Sequence, residues 1–338
     1  MCEKFNLGSE MHMKKLSNKA TVFFMTFTMA LTFIIGGTIY ANTFDNILQD
    51  TWSEPNESDI PDNAKGEMIL YGKELFMNTP KYLGPKSSMP FAGNNLSCTN
   101  CHIDEAATPN AIPLYVATYE YADPGKYSAR SGQLTTIEKR INGCFQRSLN
   151  GNVLPEDNYE MQSMVSYLEW LATGKNPEVE WYNVKGVKTP KIPLLDRAAD
   201  PVKGAAIFQE QCAKCHGTNG QGEWDSSKER FKFPPLYGND SYNTGAGMHR
   251  NITAAQFIKA NMPYGNAFLT VEQSFDVAAF INSQQRPEKA NLHLDWSVDY
   301  TKKNVDAPYG PYYPDTFPAE QFKYGPWQPI IDARNSLN

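Results

Sequence analysis

The sequence predicts a mainly α-helical protein built as two small helical modules, and three observations predict it. The pattern Cys-x-x-Cys-His occurs twice, as CTNCH (Cys98, Cys101, His102) and CAKCH (Cys212, Cys215, His216). A short repeated stretch precedes each, GKELF from Gly72 to Phe76 and GAAIF from Gly204 to Phe208. An amphipathic segment follows each: EMQSMVSYLEWLATG sets Met161, Met164, Val165, Leu168 and Leu171 on one helix face, and SFDVAAFINSQQ does the same with Val277, Phe280 and Ile281. Cys-x-x-Cys-His is the attachment signature of c-type haem. Two thiols about one helical turn apart reach the two vinyl groups of one porphyrin, and the adjacent histidine is then held beneath the iron. A zinc pair or a thioredoxin-like dithiol would also use the cysteines, but neither explains a histidine after each pair. The expected fold class is therefore mainly α: two cytochrome c-type domains, each a small helical fold around one covalently attached haem.

Taken in order along the chain, residues 1–41 read as a leader. The basic start MKKLSNK runs into a stretch without charge from Ala20 to Ala41, which predicts an export signal peptide or, uncleaved, a membrane anchor. Either puts the rest of the chain in the periplasm. The 338 residues are too many for one comfortable core. The expected division is an N-terminal cytochrome c domain over 42–174 with the catalytic haem, a linker over 175–201 that bears prolines and lacks periodicity, and a C-terminal cytochrome c domain over 202–300 with an electron-transfer haem. A tail over 301–338, rich in Pro and Tyr, has no counterpart in the repeat and is expected to pack on the domains. The formal net charge of −6 excludes nucleic acid as a partner and a polybasic membrane patch; the membrane is a partner only if the leader is retained. An anionic substrate would have to be held by a few well-placed arginines.

A low-spin c-type haem needs a ligand on the face opposite its histidine. For the second haem, NMPYG places Met262 directly before Pro263, with Met248 and His249 as competitors. For the first there is neither Met nor His between residues 103 and 160, but there is Cys144. At helical period Ile137, Ile141 and Cys144 share a face, and Arg140, Cys144 and Ser148 are spaced by four. The competing readings are a small buried hydrophobe with Arg140 and Arg147 on a solvated face, or a vacant iron of the peroxidase kind. A bound thiol would be a thiolate, its pKa lowered by iron and a neighbouring arginine.

RSGQLTTIEKRINGCFQRSLNG (Arg130 to Gly151), the two Cys-x-x-Cys-His sites, the NMPYG loop and GPWQP (Gly325 to Pro329) together resemble the dihaem thiosulfate dehydrogenases of the periplasm. The resemblance implies interconversion of thiosulfate and tetrathionate, with Cys144 as distal ligand of the catalytic haem and Arg130, Arg140 and Ser148 lining the anion pocket. It implies two covalently bound c-type haems. Electrons would be exchanged with a soluble or membrane cytochrome or similar carrier. Some relatives carry a lysine before the methionine; here that place is Asn261, so simple methionine ligation is expected. The rival readings are an electron-transfer protein without catalysis and a dihaem peroxidase.

Overall fold

The computed structural model describes residues 51–336 apart from 311 and 313–315, so the leader expected at 1–41 lies outside the described residues. The described chain forms one compact unit and is mainly helical. In order it contains α1 (Ala64–Met77), α2 (Thr79–Leu83), α3 (Ala117–Glu120), α4 (Ile137–Arg147), α5 (Tyr159–Ala172), α6 (Pro201–Ile207), α7 (Ala213–His216), α8 (Asn251–Asn261), α9 (Val271–Ser283), α10 (Ala319–Tyr324) and α11 (Gln328–Asn335). Two antiparallel hairpins interrupt the helices. One joins β1 (Lys126–Ser128) to β2 (Gln133–Thr135), and the other joins β3 (Glu223–Asp225) to β4 (Arg230–Phe233) with an irregularity at Glu223/Trp224. Strands of three or four residues are too short to show a period of two, and the sequence does not announce them.

The helices start where side chains can accept their free N–H groups. Asn63 accepts from Lys65 and Gly66 at the start of α1, Thr136 from Lys139 at α4, Asn158 from Met161 at α5, and Asp200 from Val202 and Lys203 at α6. At α9, Thr270 and Gln273 form a reciprocal capping box. α6 has Pro201 in its first turn and runs into a π turn, Phe208–Cys212, that leads to the second pair of cysteines.

The repeated GxxxF stretches have a packing reason. α1 crosses α5 at Gly72, where an added Cβ would lie 2.0 Å from the Ser163 carbonyl oxygen and 2.8 Å from Tyr167 Cβ. α6 crosses α9 at Gly204, where it would lie 1.9 Å from the Asp276 carbonyl oxygen and 2.9 Å from Phe280 Cβ. Four residues on, Phe76 packs against Tyr167 with ring centroids 5.5 Å apart, and Phe208 packs against Phe280 at 5.2 Å. One helix crossing thus occurs twice, with glycine, aromatic partner and contact register matched.

Around the first crossing lies a core that includes Leu75, Phe76, Phe145, Met161, Met164, Leu168 and Leu171. Around the second lies another, with Phe208, Ala255, Phe275, Val277 and Ile281. Fully burying each large apolar side chain is worth roughly 1.5–3 kcal/mol. The expected linker is irregular but not free of the body: Val184 is in the first core, and Leu195 and Ala199 are in the second. Phe322, Trp327 and Ile330 of the tail are also buried in the second core, and Trp327 Nε1 donates to the Phe322 carbonyl. A third, small cluster joins the two regions: Ile103, Ala111 and Phe257, flanked by Ile112, Met248 and Met262.

Candidate haem and anion site

Cys98 and Cys101 lie on a tight turn between α2 and His102. The Thr79 hydroxyl anchors this turn, accepting the Cys98 N–H at 3.2 Å and donating to its sulfur at 3.5 Å. The His102 ring is oriented by Nδ1, 2.5 Å from the Ile112 carbonyl, and the His216 ring by Nδ1, 2.8 Å from the Pro234 carbonyl. A histidine that donates through Nδ1 leaves Nε2 as the lone-pair nitrogen, the atom a metal takes. Both histidines that follow a cysteine pair are therefore prepared in the same way.

α4 supplies the opposite wall. It runs unbroken through Asn142 and Gly143, and its hydrogen-bonded ends hold it against the first core. Thr136 caps the start, Asn142 exchanges side-chain bonds with the Leu154 backbone at 2.8 and 2.9 Å, and the Ser148 N–H donates to the Cys144 carbonyl at the end. Asn142, a weak helix former, thus has a structural task. Cys144 faces His102 at hydrogen-bonding distance. Arg140 Nη1 lies 3.0 Å from its sulfur.

Three thiols therefore gather around His102, and their electrostatics separate them. Burial pushes Cys98 and Cys101 up to about 12. Burial also raises Cys144, but the charge of Arg140 and the neighbouring His102 ring outweigh it, and Cys144 is lowered to about 6. Burial thus favours the neutral thiol at Cys98 and Cys101, and Arg140 favours the thiolate at Cys144. Arg140 is correspondingly raised, first by the charge of Cys144, against a smaller opposing effect of burial.

The other residues named from the sequence fall as follows. Ser148 caps α4 on the face of Arg140 and Cys144, its carbonyl accepting from Asn94 at 3.0 Å. Arg130 comes from the β1–β2 turn; its guanidinium lies 5.5 Å from the Trp296 ring, and its Nε is 3.9 Å from Asp295. Burial first, then Arg147, lowers its pKa to about 10. Arg147 is the residue that sequence reasoning set aside. It is not on a solvated face: its Nη2 donates to Asp295 at 2.8 Å, and its Nη1 and that of Arg140 both flank Gly143. Lys289 Nζ stands 3.7 Å from the same Asp295. The helical spacing from Gly143 to Arg147 was a usable signal. Asp295 and Lys289 sit in a stretch without periodicity and gave none.

On the second side, Met262 directly follows α8 and packs in both the second core and the small joining cluster. Both nitrogens of His249 face backbone groups, Nδ1 to Thr244 at 2.9 Å and the other to Asn282, which leaves the ring poorly placed as a ligand. The Asn261 amide is committed to the carbonyls of Asn110 and Phe257 at 3.2 and 3.0 Å. The loop around Met262 is thereby tied to the loop after His102, as it is again by Tyr264 donating to Asp104 at 2.8 Å.

Half-buried thiol pairs next to histidines with fixed tautomers fit covalently held haem, and fold and site together define an oxidoreductase of the c-type cytochrome class. The cytochrome c family pattern matches residues 201–285. Thiosulfate dehydrogenase from Stutzerimonas stutzeri is 37% identical over 254 residues, which covers 75% of this chain and 78% of the relative. That from Allochromatium vinosum is 40% identical over 233 residues, covering 68% and 82%. The solved thiosulfate dehydrogenase (TsdBA) from Marichromatium purpuratum, in its as-isolated form, superposes with a TM-score of 0.64 at 35% identity over 71% of this chain; the match spans about half, 51%, of that solved chain. The chain belongs to the thiosulfate dehydrogenase family.

Proposed function

We propose that the protein interconverts thiosulfate and tetrathionate at the pocket between His102 and α4, as a haem-dependent thiosulfate dehydrogenase or tetrathionate reductase. The observation that carries this reading is the Cys144 sulfur, which faces His102 with Arg140 Nη1 at 3.0 Å, a neighbour that lowers its pKa where burial raises those of Cys98 and Cys101. In the proposed arrangement, Cys98 and Cys101 would attach one c-type haem, and His102 and Cys144 would be its iron ligands. Cys212 and Cys215 attach a second, with His216 and Met262. This divides the chain into the two cytochrome c-type domains expected from the repeat, at 42–174 and 202–300, and the repeated glycine crossing at Gly72 and Gly204 supports it. The c-type haem supplies one-electron acceptors and donors for the two electrons of the reaction.

The residues of the chain bind and turn over the sulfur compounds. Arg140, with Arg130 and Ser148, holds the sulfonate oxygens of a thiosulfate dianion by charge-assisted hydrogen bonds, a task that suits the planar guanidinium. The Cys144 thiolate bonds to the outer sulfur of the first thiosulfate, giving Cys144-S-S-SO3⁻ with the release of two electrons. The outer sulfur of a second thiosulfate then attacks the sulfur next to the sulfonate; the bond to Cys144 breaks, tetrathionate leaves and the thiolate is restored. Run backwards, the same steps consume two electrons and reduce tetrathionate. A haem held by Cys212, Cys215, His216 and Met262 would supply the exchange of these electrons with an external cytochrome or similar carrier, and in this reading the basic, apolar leader would export the enzyme to the periplasm.

Replacing Cys144 by glycine tests the reading. Loss of tetrathionate turnover with both haems still attached is the expected result. Unchanged turnover would reduce the protein to an electron carrier.

A further inference from the structure

Gly143 is anomalous among the glycines of the α-helices. Where α1 and α6 contain glycine, at Gly66, Gly72 and Gly204, an added Cβ would strike backbone at 1.8, 2.0 and 1.9 Å, so packing demands it. At Gly143 the backbone is helical, and positive φ does not require glycine. A Cβ there would meet nothing nearer than Arg147 Nη1 at 3.7 Å and Arg140 Nη1 at 4.0 Å, both ordinary contacts. Alanine would fit and would favour the helix. Neither conformation nor protein packing explains the residue.

Two guanidinium groups converge on the space it leaves. Arg140 reaches it from the Cys144 side, where its Nη1 touches the sulfur at 3.0 Å. Arg147 reaches it from one turn further on, steered by the bond from its Nη2 to Asp295, while its Nε is buried without a partner. Each guanidinium has an anionic partner of its own, the Cys144 sulfur for Arg140 and Asp295 for Arg147, and each still turns Nη1 toward the same space, where both can donate to one shared oxyanion. We propose that Gly143 determines specificity: its missing side chain keeps open a slot between Arg140 and Arg147 in which one sulfonate group of thiosulfate or tetrathionate sits beside Cys144, with Arg147 as a further binding residue. The slot admits a small tetrahedral oxyanion on a sulfur chain and excludes bulkier thiols. This inference rests on the proposed function and adds to it the group that reads the sulfonate.

The test is Gly143→Ala in the haem-loaded protein. A methyl group in the slot displaces one charge-assisted contact, so KM for thiosulfate and for tetrathionate rises by roughly tenfold while kcat changes far less. The thermal midpoint does not fall, and the haem spectrum, including its thiolate signature, is unchanged. An unchanged KM overturns the inference. So does a lower midpoint, which would make the glycine a packing residue, and so does a lost thiolate signature, which would mean that it makes room for the porphyrin. A wild type without thiosulfate or tetrathionate turnover overturns the proposed function and this inference with it, whereas an active wild type beside an indifferent variant overturns the inference alone.

Discussion

Alanine at Gly72 is the sharpest test of how the helical body is held together. The new Cβ would lie 2.0 Å from the Ser163 carbonyl oxygen, and ordinary contact begins at 3.4 Å, so α1 and α5 must part by about 1.4 Å at their crossing. The obstacle is backbone and cannot rotate away. A gap of 0.5–1 Å already forfeits roughly a quarter to a half of each pairwise attraction, and Leu75, Phe76, Met164 and Leu168 around the crossing all lose contacts together. Overpacking of this kind costs about 1–3 kcal/mol and more when helices must move, against about 1 kcal/mol recovered from helix propensity. The net expectation is a loss of about 1–2 kcal/mol, or roughly 2–3 °C in thermal midpoint for a chain of this size. Gly204→Ala, with 1.9 Å to the Asp276 carbonyl, should behave the same way. Thermal scans followed by far-ultraviolet circular dichroism on the haem-loaded variants give the answer. A midpoint equal to or above wild type at either position would refute the reasoning, because it would make these glycines mere defects of propensity.

Three further outcomes can be measured. Asp276, 3% exposed, accepts from both terminal nitrogens of Arg197 at 2.8 and 2.9 Å and from the Asp200 N–H; Arg197→Ala strands it and should cost about 2 kcal/mol, discounted for the partial exposure of the arginine and read from denaturant midpoints. Asp295→Asn removes the one carboxylate shared by Arg130, Arg147 and Lys289, so stability should fall by about 1–3 kcal/mol while KM for the dianions falls too, and a raised KM would contradict the anion pocket. Asp200, the cap of α6, is held below the usual carboxylate range, first by the Lys203 N–H. Because its folded pKa is depressed, that stabilisation is present above the ordinary value of 3.8 and is lost as pH falls through the folded value. Asp200→Asn keeps the cap, and urea midpoints measured against pH should lose this acid limb.

Much of this was legible in the sequence because it depends on local periods. The two Cys-x-x-Cys-His runs, the closing helices α5 and α9 and the helix that carries Cys144 all announce themselves within a turn or two of chain. The GxxxF repeat was legible as a pattern but not as a cause, since the carbonyl groups that make glycine necessary belong to residues 163 and 276. Arg147 could be read either way. Its spacing of four from Gly143 sets it on that face of the helix, yet only Asp295, 148 residues away in sequence, decides where it points. The same holds for the tail: nothing local says that Phe322 and Trp327 will fill the second core.

Charge rather than burial decides what the cysteines near His102 can do. Cys98, Cys101 and Cys144 share one enclosed space, and enclosure by itself drives every thiol toward its neutral form, as the first two show at about 12. That suits thioether-forming residues, which are needed as covalent tethers and not as exchangeable nucleophiles. A residue that must bond and release sulfur needs the opposite, and α4 provides it by placing Arg140 one turn before Cys144. The same guanidinium faces the slot beside Gly143, so in the proposed function the cation that favours the thiolate would also hold the substrate anion against it. Separating the two tasks would need two buried cations with no anion between them before substrate arrives. In this arrangement the thiolate itself balances Arg140, and Asp295 balances Arg147, until a sulfonate enters.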